Sequence, residues 1–199
     1  MKRNLVHVRA AGEDLPRLAE ASTDKEWAEM GKTLFERKLY TQARSCFKRA
    51  GLPAAREMAI AHAYTLREHA LRLPISKSGN SAAATRRDAF LQAAEAFLSC
   101  SSKQCLVYFR RSGDCFKAAG RYLQAAEAYY QGENYTESAL LYRQRGKFDE
   151  AIAIVLEKDK VQQKVADDIK EAAKLFYLSR AETELVDNKF TVKNDADNV

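Results

Sequence analysis

The residues of this sequence that could do chemistry are few and widely separated. Gly31-Lys32-Thr33 copies the end of a phosphate-binding loop, in which backbone amides and a lysine cradle phosphate oxygens. The full loop needs a glycine five positions before Gly31, where Glu26 stands. The trio also falls inside a helical pattern, where no loop can wrap a phosphate. His62 and His69 are seven apart, two helical turns, which is too far for a compact metal pair with no third ligand nearby. Cys46, Cys100, Cys105 and Cys115 form no CxxC pair. Cys46 and Cys115 stand beside Phe47 and Phe116 and read as small core residues. Glu20, Asp24, Glu26 and Glu29 are candidates for paired carboxylates, but acids at a helix start are expected from its dipole alone. No nucleophile elbow or Ser-His-Asp arrangement is visible. The expectation is a chain with no catalytic site, no cofactor and no metal.

The charge points weakly to partners. The 199 residues carry 33 Lys and Arg against 27 Asp and Glu, a net charge of +6. The stretch from Glu182 to Val199 is net −3, which leaves +9 on the rest. A basic body can attract nucleic acid through its surface, and Arg110, Arg111, Arg143, Arg145 and Lys147 motivate that reading. The bases are otherwise scattered, as on an ordinary solvated surface, and no aromatic RNA-binding signature accompanies them. The longest apolar run, Ala151 to Leu156, is six residues, far short of a membrane span. Arg9 interrupts the apolar stretch behind Met1-Lys2-Arg3, so a secretion signal is not expected and the cysteines suit a reduced intracellular compartment, cytoplasmic or nuclear.

The elements that must position any site are written in a repeat. Aromatics return every 13 residues at Phe109, Tyr122, Tyr135 and Phe148. Phe116, Tyr129, Tyr142 and Val155 keep the same step, and so do Ser112, Ala125, Ser138 and Ala151. Positions i, i+3 and i+7 share one helix face, so each unit offers two large residues around a small one. Gly120, Gly132 with Asn134, and Gly146 fall between units as breakers. Each unit is therefore a short helix plus a turn, too short to be stable unless it lies against its neighbours. Trp27, Gly31, Leu34, Tyr40, Ala43 and Phe47 match Phe109, Gly113, Phe116, Tyr122, Ala125 and Tyr129 at a constant offset of 82. Thr23 and Glu26 form a capping box ahead of the first helix, and Gly51 and Pro53 close the second. With only 8 Gly and 3 Pro, the chain lacks the turns of an all-β fold.

Trp27-x3-Gly31-x2-Leu34-x5-Tyr40-x2-Ala43-x3-Phe47-x2-Ala50 follows the tetratricopeptide (TPR) pattern, and Phe109 to Gly132 follows it more loosely. The stretches Glu26–Gly51 and Tyr108–Ile152 resemble the repeat region downstream of the UvrD-like helicase module in fungal proteins and in animal TPR-and-ankyrin-repeat proteins. The resemblance implies an all-α α-solenoid of antiparallel helix hairpins that binds a protein or peptide as a scaffold. Contact with nucleic acid as a helicase accessory is the alternative. It places partner-binding side chains at Ala28, Lys32, Phe35 and Glu36 on the first pair, and at Arg110, Asp114 and Lys117 on the second. The motif that grips a terminal carboxylate needs Lys and Asn where this chain has Ala28 and Lys32, so that activity is not expected. No helicase motif occurs. Beyond Phe109 the step stays at 13 rather than alternating to make about 34 residues per pair, which implies tighter packing than in the parent family.

The remaining segments are less regular. Residues 1–22 form a lead segment in which Leu15 to Leu18 suggest a short helix. The repeat domain covers 23–181. Within it, Pro53 to Leu73 reads as one long helix with Met58, Ala59, Ala63, Leu66, Ala70 and Leu73 buried, and 74–84 as a polar loop. Phe90, Ala93 and Phe97 repeat the spacing of the units, while Val165, Ile169, Ala172 and Phe176 suggest a capping helix. Residues 182–199 lack periodicity and read as a disordered tail.

Overall fold

The computed structural model describes residues 6–10, 13–17, 22–75 and 81–196, with backbone alone for the two strands, Ser81 and the end of the last helix. Strands β1 (Val6–Ala10) and β2 (Glu13–Arg17) pair antiparallel, with Val8 opposite Leu15. The short helix expected at Leu15–Leu18 is therefore a strand over its described part. Pro16 withholds an amide from any helix there, and Val6 and Val8 favour extended backbone.

Among the described residues, all other regular elements are helical. They are α1 (Asp24–Glu36), α2 (Tyr40–Ala50), a 3-10 turn at Leu52–Ala54, α3 (Ala55–Arg72), α4 (Ser81–Cys100) and α5 (Leu106–Ala118). Then come α6 (Tyr122–Gln131), α7 (Tyr135–Gln144), α8 (Phe148–Glu157) and α9 (Gln163–Ala196). The chain divides after Gly120 into two compact units. Within each, successive helices pack on one another: α1 to α5 in the first, α6 to α9 in the second.

Local signals set the ends. Thr23 N–H donates to Glu26 Oε2 at 2.8 Å and Glu26 N–H to Thr23 Oγ1 at 3.3 Å, the reciprocal box that opens α1. The turns after α1, α6 and α7 share one design. The residue after next past the helix, Lys38, Glu133 or Gly146, has a positive φ of 62°, 54° or 70°. The following amide then reaches back five residues: Leu39 to Leu34, Asn134 to Tyr129 and Lys147 to Tyr142, at 2.8–2.9 Å. The breaker at the second of these turns is thus Glu133 rather than the neighbouring Gly132. A left-handed residue is costly with a side chain, and the backbone bonds of these turns offset that cost at Lys38 and Glu133.

The small series occupies the centre of the packing. Ser112, Ala125, Ser138 and Ala151 have no exposed surface, and Ala43 at the matching place in α2 has none either. The two serines are satisfied: Ser112 Oγ donates to Ala94 O and Ser138 Oγ to Ala126 O, both at 2.8 Å. Phe116 and Tyr129 are buried, whereas Tyr142 and Val155 are half-buried. Phe109, Tyr122, Tyr135 and Phe148 are half-buried on four separate helices. In the second unit Arg145 covers the Tyr122 ring at 3.6 Å from its centre, and Tyr130 and Tyr135 meet edge to face at 5.4 Å.

Three segments differ from expectation. On α3, Ala63 and Ala70 are buried as expected, but Ala59 is exposed, and Ile60 and Ala61 join the core instead. That helix is flanked by both α2 and α4, so a single stripe does not describe it. Helix α4 begins at Ser81, inside the expected polar loop 74–84, because Ala82-Ala83-Ala84 are strong helix formers; residues 76–80 lie outside the described set. Helix α9 runs on to Ala196, whereas the sequence reading ends the repeat domain at 181. Residues 182–196 hold no Gly or Pro to stop it. Of the expected capping stripe, Ile169 is fully buried and Phe176 is exposed, stacked on Phe148 at 4.6 Å.

Candidate partner-binding cleft

In the first unit α1, α2, α3 and α5 enclose a cleft of about 210 Å3. It is lined by Lys32, Phe35 and Glu36 of α1, Phe47 of α2, Glu57 and Ile60 of α3, and Tyr108 of α5. Its floor is fixed by a close approach. A Cβ on Gly31 would lie 2.5 Å from the Phe47 ring, so only glycine lets that ring settle against α1. Phe47 is 2% exposed. Beside the cleft runs a chain of rings: Phe35 meets Tyr64 edge-on at 5.3 Å, Tyr64 meets Phe97 at 4.9 Å, and Phe97 stacks near Tyr108 at 6.4 Å. These contacts tie four helices, α1, α3, α4 and α5, along one wall.

The polar groups stand at the mouth. Lys32 Nζ bonds Glu29 Oε1 at 2.9 Å, an exposed pair one turn apart. That bond holds the Glu29 carboxyl below its usual range and Lys32 above its own, with the Glu57 charge adding to the latter. Near Tyr108, Arg56 Nη2 donates to Cys105 Sγ at 2.9 Å. Burial pushes the Tyr108 hydroxyl up, with Tyr64 and Cys105 nearby adding to it and Arg56 opposing.

The structure therefore brings together Lys32, Phe35 and Glu36. It does not bring Arg110, Asp114 and Lys117 to the same place. They are exposed on α5, about half a turn around the helix from Tyr108, the α5 residue that does line the cleft. Ala28 packs against the core cluster of Leu34 and Phe47 rather than facing outward. Glu57, Ile60 and Tyr108 were missed by sequence reasoning, because α3 and α5 carry no cue to which side will face α1.

The other candidates fall elsewhere. Gly31-Lys32-Thr33 lies inside α1, with its amides committed to the helix. His62 is half-buried, its Nδ1 enclosed without a hydrogen-bond partner, and burial pushes its pKa down with Arg44 adding to the effect. His69 is exposed. Cys46 and Cys115 are buried as read from sequence, and burial pushes the Cys115 thiol up to about 12. Among the described residues, no group of three or more His, Cys, Asp or Glu is placed to hold a metal, and no helix is long and apolar enough to cross a membrane.

Comparison with known proteins gives no match, either to a protein-family model or to a curated protein.

Proposed function

We propose that this chain is a non-enzymatic protein-interaction module of TPR-like helix hairpins. The carrying observation is the cleft on the first unit, where Lys32, Phe35 and Glu36 converge with Ile60 and Tyr108 from two other helices. A concave site that is mostly apolar with a few polar groups at its mouth suits the anchoring of a partner side chain. The reading is further supported by the 13-residue step, since helices α6, α7 and α8 begin at Tyr122, Tyr135 and Phe148. The resemblance to the repeat region of UvrD-like helicase proteins makes a helicase-containing assembly the natural setting, with the chain as its scaffold inside the cell.

Selection of a random peptide library on the purified chain tests this. Peptides that enrich on the chain and lose binding tenfold or more to Glu36→Trp, which fills the cleft mouth from an exposed position, are the expected result. No enrichment, or binders indifferent to that substitution, overturns the proposal.

A further inference from the structure

The cleft carries a charge opposite to that of the chain around it. The protein is net +6, yet the seven lining residues hold two carboxylates, Glu36 and Glu57, against one ammonium, Lys32. That ammonium is already engaged by Glu29 at 2.9 Å. Between these charges the walls are Phe35, Phe47, Ile60 and Tyr108. The cleft's 210 Å3 is below the size of ordinary small-molecule sites, about 300–1,000 Å3, and suits one large side chain rather than a whole metabolite.

We infer that the cleft selects a peptide segment in which one large apolar side chain is flanked by lysine or arginine. The inference rests on the interaction reading above and adds the chemistry of the partner. The apolar side chain enters between Ile60 and Phe35. The flanking cations sit at the mouth, facing Glu36 and Glu57. With Arg56 beside Tyr108 and Glu29 holding Lys32, the cleft and its rim carry three carboxylates against two cations, so a carboxylate partner meets a net negative site and acidic segments are disfavoured. Phosphate-rich polymers are disfavoured at this site for the same reason.

The test uses three fluorescein-labelled decapeptides on the full chain, read by anisotropy at low salt. Each is Gly/Ser-rich, with a central Phe flanked by Lys, a central Phe flanked by Glu, or a central Ala flanked by Lys. The chain's overall +6 pulls towards the Glu-flanked peptide, so a preference for the Lys-flanked one must come from a local site. The expected result is that the Lys-flanked Phe peptide binds at least tenfold more tightly than either control. Glu36→Gln and Glu57→Gln each weaken it about two- to fivefold, and the double change to lysine reverses the preference. Both positions line the cleft, Glu36 exposed and Glu57 half-buried, and the fold of each variant is checked by circular dichroism. Equal or tighter binding of the Glu-flanked peptide, or unchanged affinity in the Gln variants, overturns the charge selection while leaving the interaction module standing. Library binders of another chemistry that still depend on the cleft do the same. If nothing binds and the library gives no cleft-dependent sequence, both proposals fall.

Discussion

The two units use the same helices-in-series plan with different regularity. In the second, α6, α7 and α8 are each 10 residues long and start 13 apart, and each places a fully buried small residue on the shared face. In the first, Trp27 of α1 and Tyr40 of α2 are still 13 apart, but α1 and α2 start 16 apart, and α3 and α4 run to 18 and 20 residues. Here rings span the helices as well as small residues such as Ala43 and Ser112, running from Phe35 through Tyr64 and Phe97 to Tyr108. The cleft opens in this unit, where the step is broken. Regular repetition fills space, and a departure from it leaves a hollow bounded by helices distant in sequence.

The comparison is open to direct attack. All four cysteines and Trp27 lie in the first unit, so thiol labelling and tryptophan fluorescence report on it alone. The largest effect concerns Cys115. With its pKa at about 12 against an ordinary 9, it holds about a thousandfold less thiolate than a free thiol at neutral pH, and it should react correspondingly slowly with iodoacetamide. The sign for stability follows. The pKa is raised on folding, so this contribution is complete below pH 9 and is lost as pH rises from 9 towards 12. Denaturant titrations of wild type and Cys115→Ala over that range should converge. Parallel curves would place the alkaline loss elsewhere.

Next in size is the ring chain. Phe97→Ala, at a fully buried position between Tyr64 and Tyr108, should cost about 3–5 kcal/mol by urea unfolding followed through Trp27. A cost below about 1 kcal/mol would mean the rings do not hold the first unit together. In the second unit, Ala125→Leu should cost about 1–3 kcal/mol by circular dichroism, because no space exists beside a residue with zero exposure. Unchanged stability there would show that the small residues are not tight contacts.

The smallest effects come from the turns. Lys38→Gly relieves a left-handed residue and should stabilise by about 1 kcal/mol, while Gly146→Ala should cost a similar amount. Thermal melts that move both variants in the same direction would break the equivalence of the two turns.

How legible this was in the sequence follows the same division. The starts of α6, α7 and α8 and the burial of Ser112, Ala125, Ser138 and Ala151 are written in the periodicity, because each depends only on neighbours one step away. The capping box and Gly51 gave α1 and α2 their ends for the same local reason. The cleft was half legible. Lys32, Phe35 and Glu36 share one face of α1 and could be paired by pattern, but Tyr108 and Glu57 join them only through tertiary packing. Arg110, Asp114 and Lys117 come from the tetratricopeptide resemblance, which carries position on a helix and not which helix stands opposite. The exposure of Ala59 and the start of α4 at Ser81 had no periodic cue.

The buried hydroxyls of Ser112 and Ser138 have a consequence for how such a chain can change its length. Each must find one carbonyl, that of Ala94 or of Ala126, at 2.8 Å, and so acts as a detent between two rods. Inserting or deleting a single residue inside α7 ahead of Ser138 turns the hydroxyl about 100° away from its catch and strands it in a dry seam. Duplicating or removing a whole unit leaves every catch engaged. Growth by complete units is therefore cheap, and growth by single residues is not.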